Sequence, residues 1–278
     1  MRGWWREFSG LVLPTACGGC GRQHTALCEG CRAALTETPA RRVRPVPAPV
    51  GLPPVYAAAP YEDAVRAVLL GHKERGALAL AGVLGQALAG AARAAAAGSA
   101  PGVRGPLLLV PVPSSRRAVR ARGHDATRRM ALAAAAELRR TGTDARVAAV
   151  LRQRRAVADQ AGLSARQRLA NLSGALVVAG GGAGLLAGGQ VVVVDDLMTT
   201  GASLVDAARA IRAAGVGGRH PDASGGGRSP ARDIPGFPRT GAGPGRRGAG
   251  SVAWDGDVPR PVAAVVAATP ESFAINRN

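Results

Sequence analysis

The segment from Val191 to Val194 is four consecutive valines, and it constrains the fold more than any other part of the 278-residue chain. A β-branched run without polar alternation predicts a strand buried on both faces, as in a parallel sheet covered by helices. Asp195 and Asp196 follow at the carboxyl end of this strand. Residues 199–203 then form a turn before an Ala-rich helix, predicted from about Leu204 to Ala214. The pattern predicts an α/β fold.

This strand end also predicts a binding site. In open α/β sheets, ligands bind just outside the carboxyl ends of the strands. A turn before a helix offers backbone N–H groups, hydroxyls and the positive end of the helix dipole, all of which suit a phosphate. Two adjacent carboxylates can accept hydrogen bonds from sugar hydroxyls, so the combination predicts a sugar phosphate. The alternative is a buried strand whose aspartates only cap the following helix.

The same segment resembles the ribose-phosphate signature of type I phosphoribosyltransferases, in which a hydrophobic strand, two acidic residues and a Thr-Thr-Gly-type loop follow one another. The resemblance implies an α/β, type I phosphoribosyltransferase-like parallel sheet flanked by helices. It also implies phosphoribosyl pyrophosphate, bound with Mg²⁺, as the ligand. Asp195 and Asp196 would contact the ribose 2′ and 3′ hydroxyls. The 5-phosphate would lie among the residues of the turn: Thr199, Thr200, Gly201, Ala202 and Ser203.

A second buried strand is predicted over residues 107–113, where Leu and Val run into two prolines. Ser114, Ser115 and Arg116 come directly after it. Hydroxyls, amides and cations at a strand end can bind a pyrophosphate, and in type I phosphoribosyltransferases a short loop at the corresponding place holds this leaving group. The alternative is a solvated basic loop.

Arg122-Gly123-His124-Asp125 resembles the Arg-Gly-Phe-Asn segment of the ComF family of phosphoribosyltransferase-like proteins. His124 and Asp125 depart from the family's Phe and Asn, whereas Arg122 matches and would take a catalytic role. A helix is predicted after this segment, from about Ala126 to Arg140.

Two more stretches are similar to the ComF pattern. Residues 152–175 contain its basic run, Gln-x-Gly-Leu-Ser and Asn-x-x-Gly-Ala in the family's order. This implies a flap that closes over the substrate, whereas a basic surface helix is the alternative. Residues 69–76 carry a further family-like element, in which Lys73 either approaches a phosphate or ends a solvated helix.

All four cysteines lie in two Cys-x-x-Cys pairs, Cys17 with Cys20 and Cys28 with Cys31. Each pair lets two thiolates from one turn reach a single ion, so the spacing predicts a small knuckle holding a structural Zn²⁺. Disulfides and a redox pair are the alternatives, and His24 between the pairs could replace one sulfur. A four-cysteine knuckle before the enzyme-like domain is also a ComF feature.

The organisation predicted from composition has three parts. Residues 1–38 form the zinc knuckle module, residues 39–54 a Pro- and Arg-rich linker, and residues 55–278 the phosphoribosyltransferase-like domain. Residues 217–260 are dense in Gly, Pro, Arg and Ser and are predicted to be a disordered insertion before a last strand at 261–268. A shifted reading frame and an RNA-binding tail are the other interpretations of this insertion.

The net charge of +18 comes almost entirely from arginine, because Lys73 is the only lysine. Such a charge attracts phosphate-rich partners, but a GC-rich genome gives the same bias, and no aromatic residues interleave with the basic runs to stack on single strands. Residues 76–98 are apolar and predict a helix covering the sheet. We expect a cytoplasmic protein without membrane insertion.

The resemblance as a whole implies a ComF-type protein that binds phosphoribosyl pyrophosphate with Mg²⁺ and transfers the phosphoribosyl group to an acceptor that the sequence does not identify. The alternative is a non-catalytic accessory protein of DNA uptake and competence. Such a protein would bind nucleotides or single-stranded DNA, or contact a DNA-uptake helicase.

Overall fold

A six-stranded sheet lies at the centre of the computed structural model, which describes residues 16–99, 105–155, 164–217 and 260–276. In chain order the strands are Arg41–Val43 (β1), Val55–Pro60 (β2), Leu107–Pro111 (β3), Ala145–Val147 (β4), Leu151–Gln153 (β5), Leu176–Val178 (β6), Gln190–Met198 (β7) and Val262–Ala268 (β8). The sheet has the order β1-β2-β8-β7-β3-β4, while β5 and β6 form a separate antiparallel pair. Only β1 runs antiparallel to its neighbour in the large sheet.

Helices cover both faces of this sheet. They are Glu29–Thr36 (α1), Asp63–Glu74 (α2), Ala81–Ala97 (α3), Arg116–Arg122 (α4), Ala126–Arg140 (α5), Ala165–Leu172 (α6), Gly182–Leu186 (α7) and Ala202–Gly217 (α8), with 3₁₀ turns at Leu78–Leu80 and Pro270–Asn276. The predicted α/β fold, with a mostly parallel sheet flanked by helices, is confirmed.

The four valines that predicted the central strand are buried on both sides. Val192 and Val194 pack in the same core cluster as α3 and α5, whereas Val191 and Val193 pack in the cluster that contains α8. Each is 2% exposed or less. Burial on two faces is the reason that this strand reads as a continuous apolar run.

The strand predicted at 261–268 is present as β8, and it lies between β2 and β7 in the middle of the sheet. All of its residues are buried. Most of the predicted disordered insertion, residues 218–259, lies outside the described residues. Gly217, its first residue, is the last residue of α8.

Part of the predicted linker pairs with the sheet. Arg41 to Val43 form β1, whose register joins Val43 to Val55 of β2. Leu35 of α1, from the predicted knuckle module, is 1% exposed and belongs to the main core cluster. The module boundaries themselves stay a prediction.

Residues Leu78–Ala97 are long and apolar enough, judged by length and composition alone, to cross a membrane, and they are the one such stretch among the described residues. In this structure 61% of that window is buried. The stretch contains α3, which packs on β2, β8 and α5, as predicted for a helix that covers the sheet. A buried core helix can be as long and as apolar as a membrane-spanning helix, so length and composition do not distinguish the two.

Gly85 allows α3 and α5 to approach closely. A Cβ atom at this position would lie 2.4 Å from Ala133 Cβ and 2.9 Å from the backbone of Ala134. Gly85→Ala should therefore lower the free energy of unfolding by about 1–3 kcal/mol, since the helices must separate. Gly90→Ala on the same helix meets no atom within 4 Å and should stabilise by up to about 1 kcal/mol. Urea unfolding of both variants measures the contrast, and equal values for the two would contradict this account.

Candidate functional site

The carboxyl ends of β2, β3, β7 and β8 meet at one edge of the sheet, because these strands are mutually parallel. Asp195 and Asp196 lie within the last residues of β7, where Asp195 pairs with Val265 of the neighbouring strand. The strand continues to Met198, and the turn of residues 199–201 then leads directly into α8. The acidic pair and the turn are thus adjacent, as the sequence predicts.

Both carboxylates are largely withdrawn from solvent. Asp195 is 8% exposed and Asp196 is 6% exposed. The backbone N–H of Asp196 donates to Asp195 Oδ1 at 2.9 Å. Burial, together with the neighbouring Asp196 carboxylate, raises the pKa of Asp195 well above its usual range, although the Lys73 ammonium opposes the shift. A nearby cation therefore stabilises the charged form of this acidic pair.

That cation is Lys73, near the end of α2. Its Nζ lies 2.6 Å from Asp196 Oδ2. Burial alone would lower the pKa of Lys73, but the charges of Asp196 and Asp195 raise it. The ion pair shows that the ammonium contacts the acidic pair although the side chain is 37% exposed, and contact of Lys73 with a phosphate stays a prediction.

The two neighbours of Lys73 also contact the segment of residues 112–125, which follows β3 and includes α4. We call this segment the second loop. Glu74 Oε2 lies 3.2 Å from Arg122 Nε, and the carbonyl oxygen of His72 lies 3.3 Å from His124 Nε2. The three consecutive residues at the end of α2 thus connect the acidic pair to the segment Arg122–His124. Sequence reasoning assigned a site role to Arg122 but did not identify Glu74 as its partner.

His72 is completely buried and its ring lies 5.8 Å from the ring of His124, measured between centroids. Neither ring nitrogen of His72 reaches a hydrogen-bond partner among the described residues. Burial lowers the pKa of His72, so the ring favours its neutral form. The imidazole acts here as a packing group between α2 and the second loop.

The turn after β7 has the donors that an anion site needs. Gly201 has φ +77° and its carbonyl accepts the first helical hydrogen bond, from the N–H of Val205. The backbone N–H groups of residues 199–203 donate to no acceptor within the described part of the chain. Thr199, Thr200 and Ser203 are half-buried, whereas Gly201 and Ala202 are buried. Free N–H groups at a helix start, with the helix dipole behind them, attract an anion.

The segment of residues 47–54 packs beside this turn. A Cβ atom at Gly201 would lie 2.7 Å from Leu52 Cδ1. Glycine is therefore required at position 201 both by the positive φ and by the approach of Leu52. The end of the predicted linker forms part of the wall of the site.

The two serine hydroxyls predicted to bind pyrophosphate make hydrogen bonds within the protein. Ser115 caps α4, since its Oγ accepts the N–H of Ala118 at 3.1 Å. Ser114 Oγ donates to Asp125 Oδ1 at 3.0 Å, and Asp125 in turn caps α5 by accepting the N–H of Arg128. Arg116 is exposed. Asp125 thus acts as a helix cap, a role that asparagine would also fill, and the predicted ligand contacts of this loop stay a prediction.

The stretch of residues 152–175 is described only in part, because the predicted Gln-x-Gly-Leu-Ser run up to residue 163 lies outside the described residues. Its base is held by α8: Asp206 accepts the N–H groups of Gly174 at 2.8 Å and Leu176 at 2.7 Å. Arg209 Nε also lies 2.7 Å from Asp206 Oδ1, and its Nη2 donates to the carbonyl of Leu176. Sequence reasoning did not identify this ion pair between a buried carboxylate and a partly exposed arginine.

The four cysteines form a second site. Their Sγ atoms, from Cys17, Cys20, Cys28 and Cys31, all lie within 4.8 Å of one another. Four sulfurs around a tetrahedral zinc at its usual bond length would be about 3.8 Å apart, so the cluster fits a single ion. The cysteines are positioned to bind a metal ion, consistent with structural zinc.

The backbone around the cluster favours the thiolate of Cys17, whereas burial and the neighbouring cysteines raise the pKa of Cys31. The N–H groups of Gly19 and Cys28 donate to Cys17 Sγ at 3.4 and 3.3 Å. Burial raises the pKa of Cys17, but these and other backbone N–H groups outweigh it and lower that pKa to about 6. His24, considered as a replacement ligand, is exposed with φ +65° and is not part of the sulfur cluster.

No protein-family model matches this chain, and no curated protein matches it either.

Proposed function

We propose that this chain is a ComF-type, type I phosphoribosyltransferase-like protein that binds phosphoribosyl pyrophosphate with Mg²⁺. One observation carries the proposal: an acidic pair at the end of the central strand, followed at once by a turn with free N–H groups at the start of a 16-residue helix. In this arrangement, acceptors suited to sugar hydroxyls are followed directly in the chain by donors suited to a phosphate.

In the proposed complex, Asp195 and Asp196 accept hydrogen bonds from the ribose hydroxyls, and the N–H groups of residues 199–203 hold the 5-phosphate. Arg122 lies on the side of the pyrophosphate, where its positive charge stabilises the leaving group. Mg²⁺ bound together with the substrate would supply further positive charge to stabilise the pyrophosphate that leaves carbon 1. The acceptor that attacks this carbon is not specified by the residues of the site.

The four-cysteine cluster, in this proposal, holds a structural Zn²⁺. Four sulfur ligands leave no open coordination position, so the ion stabilises the N-terminal segment and takes no part in the chemistry. The proposal also places the protein in the cytoplasm, without membrane insertion, where thiols stay reduced.

A second function is favoured by the exposed arginines of α4. Arg116, Arg117 and Arg120 are all exposed on this short helix beside the site. Such a basic surface attracts phosphate backbones. The alternative is therefore a non-catalytic accessory protein of DNA uptake that binds single-stranded DNA or a DNA-uptake helicase.

Isothermal titration of phosphoribosyl pyrophosphate with Mg²⁺ tests the first function. The wild-type protein should bind, and Asp195→Asn combined with Asp196→Asn should weaken binding by at least about 100-fold, because two charge-assisted hydrogen bonds are lost. Asp144→Asn is the matched control, since this exposed carboxylate precedes β4 at the opposite edge of the sheet. It should bind as the wild type does.

Two results would reject the assignment of the site. One is equal binding by the double variant and the wild type. The other is no binding of phosphoribosyl pyrophosphate together with tight binding of single-stranded DNA that the double variant retains, which supports the accessory function. Pyrophosphate release, screened across bases and amines, then separates a transferase from a protein that only binds the ligand.

A further inference from the structure

The ammonium of Lys73 can donate more hydrogen bonds than the described residues accept. Its ammonium carries three donors, and only Asp196 accepts from it among the described residues. The side chain is 37% exposed, whereas that of Asp196 is 8% exposed. The lysine therefore reaches from a buried carboxylate toward solvent, with two N–H donors still available.

The site needs this cation if an anionic ligand is to enter it. The buried acidic pair lies directly before the turn that would hold a phosphate, and its negative charge opposes a second anion there. Lys73 supplies a positive charge in contact with the acidic pair, and the charge of Arg122 acts on Lys73 from the second loop. The repulsion is thus offset by a cation that is already fixed in place by its ion pair.

The choice of lysine at this position is informative within the chain itself. Lys73 is the only lysine, and apart from four histidines every other basic side chain in the sequence is an arginine. A guanidinium is planar and presents its donors as a fork to one oxyanion, while an ammonium is compact and directs its three donors apart. A cation that must contact a carboxylate and a phosphate together is better served by the ammonium.

We propose that Lys73 binds a phosphate group of the ligand while it keeps its ion pair with Asp196. The inference rests on the proposed function, and it adds to the site a ligand-binding residue on α2. Lys73 bridges the ribose-binding carboxylate and the pyrophosphate, so that the ligand is held from α2 as well as from β7 and the turn.

The single lysine makes a direct test possible. An amine-specific reagent can modify only Lys73 Nζ and the terminal α-amino group, and mass spectrometry separates the two. Inorganic pyrophosphate with Mg²⁺, and in a second series phosphoribosyl pyrophosphate with Mg²⁺, should slow modification of Lys73 by at least about tenfold at saturation. The α-amino group should react at an unchanged rate, and sodium chloride at equal ionic strength should protect neither amine.

Variants provide a second readout. Lys73→Gln should weaken phosphoribosyl pyrophosphate binding by at least about tenfold, and Lys73→Arg should recover only part of the loss. Arg140→Gln removes a charge on the exposed end of α5 and should bind normally. Thermal melts confirm that each variant is folded, and the protection experiment uses the wild-type chain.

The outcomes separate this inference from the proposed function. If phosphoribosyl pyrophosphate binds through the acidic pair but leaves Lys73 fully reactive, the role of Lys73 is refuted and the proposed function stands. If pyrophosphate protects Lys73 while the acidic-pair variant binds phosphoribosyl pyrophosphate normally, Lys73 stands and the ribose assignment fails. If neither compound binds, both are rejected.

Discussion

Cys31→Ser should deprive the chain of its metal and destabilise the N-terminal segment severely. Cys31 is 5% exposed and belongs to α1, so its sulfur connects the cluster to this helix. An eight-residue helix is too short to persist alone. Structural zinc contributes on the order of 10 kcal/mol in small zinc-binding domains, which neither α1 nor the adjacent turns can replace.

The measurement is zinc content by elemental analysis, paired with thermal unfolding. Wild-type protein purified under reducing conditions should contain about one zinc per chain, and Cys31→Ser should retain little of it. Damage should extend beyond the knuckle, because Leu35 of α1 packs in the main core with Val68 and Leu84. We therefore expect a lower and broader thermal transition for the whole domain.

His24→Asn is the matched control. His24 is exposed between the two cysteine pairs, and asparagine tolerates its left-handed backbone conformation. This variant should keep its zinc, whereas loss of zinc would show that the histidine is a ligand. Freshly reduced wild-type protein that contains no zinc would contradict the metal site altogether and would favour the disulfide or redox alternatives.

Two strands of the fold could be predicted because a run of apolar residues indicates burial on both faces. Four valines and the run at 262–268 have no polar alternation, and both are strands covered on two faces. The position of β8 in the middle of the sheet could not be predicted in this way, because strand order depends on pairing between residues far apart in the chain. The same holds for β1, whose Arg-Arg-Val sequence between prolines carries no strand signal.

The candidate site also has one part that the sequence predicts and one part that it does not. Asp195, Asp196 and the turn are consecutive in sequence, so their proximity was predictable from one motif. The contacts of Lys73 with Asp196 and of Glu74 with Arg122 depend on where α2 docks, which no spacing reveals. For Lys73 the sequence offered two signals, namely the family-like element of residues 69–76 and the presence of a single lysine among arginines.

The capping roles in the second loop could have been found locally. Ser115 and Asp125 each stand directly before a helix and accept an N–H group three residues later, which is the usual pattern of a helix start. The arginines beside Ser115 favour pyrophosphate binding instead, whereas no ligand role is predicted for Asp125. A side chain that caps a helix in the free protein has fewer lone pairs and donors left for a ligand, so Arg122 is the stronger candidate in this loop.

Asp206→Ala should lower the free energy of unfolding by about 2–4 kcal/mol, because each buried donor left without its acceptor costs about 1–3 kcal/mol. Asp206 is 3% exposed and accepts the N–H groups of Gly174 and Leu176 as well as Arg209 Nε. Removing its carboxylate leaves these three donors without their acceptor. Because α8 begins at the turn of residues 199–201, the change also loosens the helix that supports the proposed phosphate site.

Chemical unfolding monitored by circular dichroism measures this loss, and the melting temperature should fall by about 10 °C. Asp206→Asn keeps one acceptor oxygen and should be intermediate. Asp144→Ala is the control, because its carboxylate is 61% exposed and lies 3.7 Å from Arg146, a surface pair that contributes at most about 1 kcal/mol. A loss below about 1 kcal/mol for Asp206→Ala would mean that water replaces the carboxylate readily, and that β6 is held to α8 by packing alone.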